Sequence, residues 1–159
     1  YAVGALSRFK LNSAFLHPLA ARTARALGLD PSCCNPYMNS VAQVVEAVEV
    51  VEAGLEQIDI LLTRGLRPEP LRKLHPKSGE GAGAVEAPRG ILFHRYAFDA
   101  AGLCTEANVT IPTGQNHANI QKDFEALAPQ ILGRGEAEAR LMLEMLVRAY
   151  DPCISCSTH

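Results

Sequence analysis

The 159-residue chain has no excess of either charge: 15 Lys and Arg stand against 17 Asp and Glu, for a formal charge of -2. Nucleic-acid binders carry a basic footprint, so that class of partner is excluded. No apolar run approaches the roughly 18 to 20 residues that a bilayer-crossing helix needs, and no basic segment followed by an apolar one opens the chain. The sequence therefore predicts no membrane span and no targeting signal. It starts at Tyr1 rather than Met, which suggests that an upstream segment is missing. A secreted-type cysteine framework is absent too. The five cysteines are odd in number, Cys33 and Cys34 are adjacent, and Cys104, Cys153 and Cys156 complete the set. A reducing, cytoplasmic setting is expected, where close cysteines serve as metal ligands or redox groups. Neither a G-x-x-x-x-G-K-[ST] phosphate loop nor a G-x-S-x-G nucleophile elbow occurs.

What is present is a chain that is 48% hydrophobic and 20% charged, long enough for one domain that buries roughly two-thirds of its unfolded surface. Apolar positions between about 13 and 28, with Pro18 near the start and Gly28 at the end, predict a short helix. Loop residues 30–36 follow. Val41, Val44, Val45, Val48, Val51, Leu55, Ile58 and Leu62 recur at three-and-four spacing and predict a long amphipathic helix. Residues 65–83, rich in Pro, Gly and charge, read as a connection. Short apolar runs over 84–112, broken at Asp99-Ala100-Ala101-Gly102, predict a β-hairpin. Helices are expected over 116–132 and 135–149, with Pro152 as the stop. The predicted fold is mainly α with a small β-hairpin region, an α+β, bundle-like architecture with no internal repeat.

Two patterns invite over-reading. Glu46, Glu49, Glu52, Glu56 and Asp59 could pass for a carboxylate cluster, but they lie opposite the valines and are expected to face solvent. Gly79-Glu80-Gly81-Ala82-Gly83-Ala84 fits a loose dinucleotide fingerprint, yet no strand precedes it and Pro88 interrupts any following helix. Close backbone packing is the expected reason for those glycines.

The tail, Asp151-Pro152-Cys153-Ile154-Ser155-Cys156-Ser157-Thr158-His159, carries the chemistry. C-x-x-C spacing lets two thiolates converge on one soft metal, with the His159 imidazole nearby. Spacing alone leaves structural zinc and a redox or catalytic metal both open, with Cys33, Cys34, Cys104 and His117 as candidates for further ligands. A thioredoxin-like dithiol is less suited, because no βαβ pattern surrounds the pair.

Three stretches occur here in one order: Glu86-Ala87-Pro88-Arg89-Gly90, Val109-Thr110-Ile111-Pro112-Thr113 and the cysteine tail. Together with the Tyr1-Ala2-Val3-Gly4 opening, they resemble the C-terminal part of nickel-iron hydrogenase large subunits, over essentially the whole chain. Gly114-Gln115-Asn116 stands where the larger group usually has Trp-Asn, which looks like the cytosolic, cofactor-linked branch.

The resemblance implies residues 1–159 as a single domain, the C-terminal portion of a catalytic subunit whose N-terminal half is absent. It implies reversible heterolytic cleavage of dihydrogen to protons and electrons. The family's centre is nickel held by four thiolates, two of them shared with an iron that carries carbonyl and cyanide. Cys153 would be a terminal nickel ligand and Cys156 a bridge. No Arg-x-Cys-Gly-x-Cys motif for the first pair exists here. Arg89 would lie over the open coordination position, held by Asp151 and shaped by Pro88. Pro112 and Thr113 would face the cyanides, and Leu92 and Ile111 the carbonyl. His159 and the Val109 carbonyl would bind a magnesium-type ion. Implied partners are the N-terminal half, an iron-sulfur small subunit, and a flavin-, deazaflavin- or NAD-linked electron-acceptor subunit. The end at His159 resembles the processed, mature terminus of the family. A non-catalytic zinc-binding or assembly module is the alternative.

Overall fold

In the computed structural model, which describes residues 1–157 apart from 72, 74 and 76, the chain opens with helix α1, Ala5–Asn12. A 3-10 turn at Ser13–Phe15 leads to α2, Pro18–Ala26. The expected single helix over 13–28 is thus a turn and a shorter helix. Pro18 takes the first helical turn, where its missing N–H leaves no bond unmade. Gly28, at φ +68°, ends it. Its N–H donates to the Arg25 carbonyl, and the Leu29 N–H donates to that of Ala24. These are the paired bonds of a Schellman cap, and Leu29 enters the core as that motif favours. The sequence reading missed α1 because its eight residues bury only Ala5 and Phe9, too few points to show a period.

Helix α3, Asn39–Arg64, is the predicted long helix, about 39 Å long at 1.5 Å per residue. Its orientation is not the expected one. Ala42 and Val45 are buried against α1 and α2 together with Ala5, Phe9, Ala20, Ala24 and Leu29, and Val41 and Val48 pack beside them. Val44, Val51, Leu55, Ile58 and Leu62 are exposed. The single apolar stripe read from the sequence is two stripes, one inward and one outward, and after Val48 the inward positions become acidic.

Three of those acids do not simply face solvent: Glu46, Glu49 and Glu52 are half-buried, whereas Glu56 and Asp59 are exposed as expected. Glu52 accepts from the Leu19 and Ala20 N–H groups at 3.2 and 2.8 Å, satisfying free donors at the N-terminus of α2. Glu49 accepts from the His17 N–H at 2.9 Å and meets its Nδ1 at 2.7 Å. The His17 imidazole is consequently held above its ordinary pKa, first by Glu49 and then by Glu56.

Strand β1, Gly79–Ala87, pairs antiparallel with β2, Gly90–Phe98, which pairs antiparallel with β3, Cys104–Thr110. The expected hairpin is therefore the β2–β3 half of a three-stranded meander. Its first strand begins inside the stretch read as a loop, because glycine and alanine carry almost no strand signal and the pairing partner decides. Gly79, Gly81 and Gly83 lie opposite Phe98, Tyr96 and His94. Nothing lies within 4 Å of a Cβ placed on any of these three glycines, so close packing within this chain does not explain them. The aromatic column beside them is continuous: His94 Nδ1 meets the Tyr96 hydroxyl at 2.7 Å, and the Tyr96 and Phe98 rings lie 6.4 Å apart.

Helix α4, Pro112–Ile131, starts four residues before the expected position, with Pro112 in its first turn. It packs on α5, Glu136–Ala149, with Leu127, Leu146 and Ala149 buried. The short α6, Ile154–Ser157, follows. The chain is mostly helical with one small sheet, as expected. It exposes 11471 Å², against about 7,800 Å² for a compact monomer of this mass. The two-thirds burial expected from length is not reached. No described helix is long and apolar enough to cross a membrane.

Candidate metal centre

The Pro88-Arg89 pair forms the two-residue turn between β1 and β2, closed by the Ala87–Gly90 pairing. Gly90 sits at φ +138°, where a Cβ would meet Val3 Cγ2 at 2.5 Å and Pro112 Cβ at 3.1 Å. Only glycine fits that position, for conformation and for space. Gly4, at φ +119°, lies under the Arg89 carbonyl, 3.3 Å from where its own Cβ would be. The opening Tyr1-Ala2-Val3-Gly4 segment thus packs against the turn. Asn116, 3% exposed, fastens this segment to α4: its Oδ1 accepts from the Val3 N–H at 2.9 Å and its Nδ2 donates to the Val3 carbonyl at 3.1 Å. Gln115 adds a bond from its Nε2 to the Ile91 carbonyl at 2.7 Å.

Arg8 supports the turn from below. It donates from Nε and Nη2 to the Glu46 carboxylate at 2.5 and 2.7 Å, and from Nη1 and Nη2 to the Ala87 and Pro88 carbonyls at 3.0 and 2.7 Å. Its Nη1 also donates to Glu86. Glu46, aided by Glu86, holds this guanidinium above its already high pKa against the cost of burial, so it is a permanent cation.

Helix α5 delivers the tail. Asp151 adopts φ +46°, a left-handed conformation that Asp tolerates better than most residues. Its N–H donates to the Arg148 carbonyl at 3.0 Å, so the helix ends there and the chain reverses. The reversal brings the Asp151 Oδ1 to 3.3 Å from Arg89 Nε, while Oδ2 accepts from Gln43 Nε2 at 3.0 Å. Two residues on, the Cys153 N–H donates to Thr113 Oγ1 at 3.1 Å. Cys153 and Cys156 are joined as a disulfide.

Several of the expected site residues therefore come together. Arg89 meets Asp151, Thr113 holds Cys153, Cys153 meets Cys156, and Pro112 lies beside Gly90. Pro88 is in the turn. Leu92 and Ile111 are half-buried near the α4 end of the sheet, whereas Val109 is exposed on β3 opposite His94. His159 lies outside the described residues. Of the extra ligand candidates, Cys34, Cys104 and His117 are exposed, and Cys33 is half-buried without a disulfide. Among the described residues no group of three or more His, Cys, Asp or Glu side chains could hold a metal ion.

The donor chemistry fits half of a thiolate metal site. Two sulfurs reach one point, next to a fixed cation paired with a carboxylate, and soft or borderline metals favour such sulfur donors. Cys153 and Cys156 would hold such a metal as thiolates. Arg8 and Gln43 were not singled out from the sequence, and Asn116 was noted only as part of a branch signature, not as a fastening residue. Nothing in their local spacing separates them from surface residues.

Residues 6–159 match the family described as nickel-dependent hydrogenase. The chain is 35% identical over 121 residues to one component of the F420-non-reducing hydrogenase of Methanothermobacter marburgensis, spanning 74% of this chain and 25% of that protein. It is 32% identical over 159 residues to the alpha subunit of sulfhydrogenase 1 from Pyrococcus furiosus, covering all of this chain and 37% of the relative. The beta subunit of the NAD-reducing hydrogenase HoxS from Cupriavidus necator is 32% identical over 163 residues, 99% of this chain and 33% of its own length. The fold superposes with a TM-score of 0.68 and 31% identity on an NAD+-reducing [NiFe]-hydrogenase in the H2-reduced state, over 100% of this chain and 36% of that one. The chain thus spans between a quarter and two-fifths of the length of these relatives.

Proposed function

From the fact that this chain belongs to the nickel-dependent hydrogenase family, we propose that it is the C-terminal portion of a catalytic large subunit that cleaves dihydrogen reversibly into protons and electrons. The observation that carries this reading is the convergence of the Arg89–Asp151 pair with the Thr113-held Cys153–Cys156 tail. The nickel-iron centre would supply the electrophile that polarises dihydrogen and the store that takes its electrons.

Everything else is work for side chains. Cys153 and Cys156, as thiolates, would hold the metals. The Arg89 guanidinium aims a fixed positive charge at the place where charge develops, an electrostatic effect that is strong where water is excluded. Asp151 fixes the direction of that guanidinium. Cys153 Sγ accepts the proton. Pro88 would shape the space above, Pro112 and Thr113 would face the iron's cyanides, and Leu92 with Ile111 would give its carbonyl an apolar pocket. The Val109 carbonyl and His159 would hold the magnesium-type ion.

The other two thiolates come from the N-terminal half of the large subunit. Electrons pass to an iron-sulfur small subunit, then onward to a flavin-, deazaflavin- or NAD-linked acceptor. The name of the Cupriavidus relative, an NAD-reducing hydrogenase, supports the last step, and a cytoplasmic location accords with it. Metal analysis of the assembled complex together with hydrogen-dependent dye reduction tests the reading. Nickel and iron with activity are expected. Stoichiometric zinc without nickel would replace it with the non-catalytic zinc or assembly module.

A further inference from the structure

Within a single helical turn, helix α3 meets Asp151 directly and reaches the turn that carries Arg89 through Arg8. Gln43 donates to Asp151 Oδ2 at 3.0 Å. Three residues on, Glu46 accepts two bonds from Arg8, whose Nη1 and Nη2 donate to the carbonyls of Ala87 and Pro88, the two residues that lead into Arg89. Residues three apart on a helix share a face, so one rigid surface sets the backbone that carries Arg89 and the carboxylate that Arg89 meets. A guanidinium has five N–H donors in a fixed fork. Those of Arg8 go to Glu46 twice and once each to Glu86, Ala87 and Pro88.

We infer that Arg8 and Gln43 are positioning residues for the Arg89–Asp151 pair, acting from α1 and α3. The inference rests on the proposed role of Arg89 for its catalytic consequence, though not for its structural one. Arg8 fixes where the Arg89 main chain lies. Gln43 occupies the second oxygen of Asp151, which leaves the first to face Arg89 Nε. The role demands a planar fork. A lysine at position 8 keeps the charge but, with a single ammonium, cannot engage Glu46 bidentately and also reach two turn carbonyls.

The test uses the assembled hydrogenase with Arg8→Lys, Gln43→Leu and Arg89→Lys, alone and in pairs. Arg8→Lys should lower turnover about tenfold or more, the range seen when an outer-shell partner is lost, with nickel and iron content unchanged. Arg8→Lys combined with Arg89→Lys should be no slower than Arg89→Lys alone, since a residue that acts through another adds nothing once that other is gone. A second readout is independent of activity: amide hydrogen exchange at Arg89 and Gly90 should accelerate in Arg8→Lys, while α5 keeps its protection. Unchanged exchange there overturns the inference, as does a multiplicative loss in the double variant or a metal loss that parallels turnover. If exchange accelerates as expected but Arg89→Lys itself turns over normally, positioning stands and the assigned role of Arg89 falls. Should Arg8→Lys prevent assembly, Gln43→Leu leaves the Arg8 cluster intact and must show the same non-additivity with Arg89→Lys.

Discussion

The two chain segments that build the candidate centre are held in different ways. The Pro88–Gly90 turn leaves Pro88 and Arg89 exposed but is braced by its own chain: Arg8 bonds the Ala87 and Pro88 carbonyls, and Gly4, Val3 and Pro112 pack against Arg89 and the buried Gly90. The Cys153–Cys156 tail follows a left-handed Asp151, is tied to α4 through Thr113, and then runs outward with Ile154 and Cys156 exposed. The turn is a preorganised polar framework, which costs nothing to arrange at the moment of reaction.

The largest effect should come from the tail. Cys153→Ser in the assembled enzyme replaces a soft donor by a poor one, and turnover should fall by more than the roughly 10- to 100-fold typical of an outer-shell loss, with nickel content falling alongside. Metal analysis beside hydrogen-dependent dye reduction checks this. Arg89→Lys should separate the two segments. A point charge in place of a directed fork should lower turnover about 100-fold or more while nickel and iron remain bound, and equal losses of metal and turnover would reduce Arg89 to a structural ion pair.

Gly90→Ala should act on stability first. The added methyl has Val3 within 3 Å and a φ of +138° against it, so a destabilisation of about 2 to 3 kcal/mol is expected from strain and overpacking together. Denaturant unfolding of the variant protein measures it. A shift below about half a kcal/mol, the scatter of ordinary surface substitutions, would show that the turn is softer than its contacts imply.

The smallest effect concerns pH. The His17 pKa is raised by Glu49, then Glu56, with Glu52 also contributing. A raised folded-state pKa means that the folded protein holds this proton more tightly than the unfolded chain does. The contribution is therefore complete below the ordinary histidine value of about 6.5 and disappears as pH rises through the folded value. Stability of the α2–α3 contact should decline across that window, and His17→Gln should flatten the decline. An NMR titration giving His17 a pKa at or below the ordinary value of about 6.5 would remove the effect.

Much of this was legible in the residue order. The long helix, the α4 and α5 helices and the stop at Pro152 follow from spacing and punctuation, as does the Cys153–Cys156 pair, whereas Arg89, Pro112, Thr113 and Asp151 follow only from the family resemblance. Periodicity misled at α3, because a helix with apolar residues on two sides has one inward face and the sequence does not label it. The glycine-rich β1 was invisible, since its strand character depends on β2. Arg8, Gln43 and Asn116 escaped for a related reason: their partners lie 38 to 113 residues away, and a hydrogen bond across such a span leaves no local pattern.

By itself the sequence determined the chemistry available: two thiols at metal-ligand spacing, an arginine after a proline, and an acid just past a helix end. These are covalent and local properties. Only the tertiary structure decided that the arginine meets the acid, that a threonine 40 residues away receives the Cys153 amide, and that Glu46, Glu49 and Glu52 of α3 meet Arg8 and the start of α2. Those outcomes depend on which surfaces are buried together, and burial is a property of the whole packed chain.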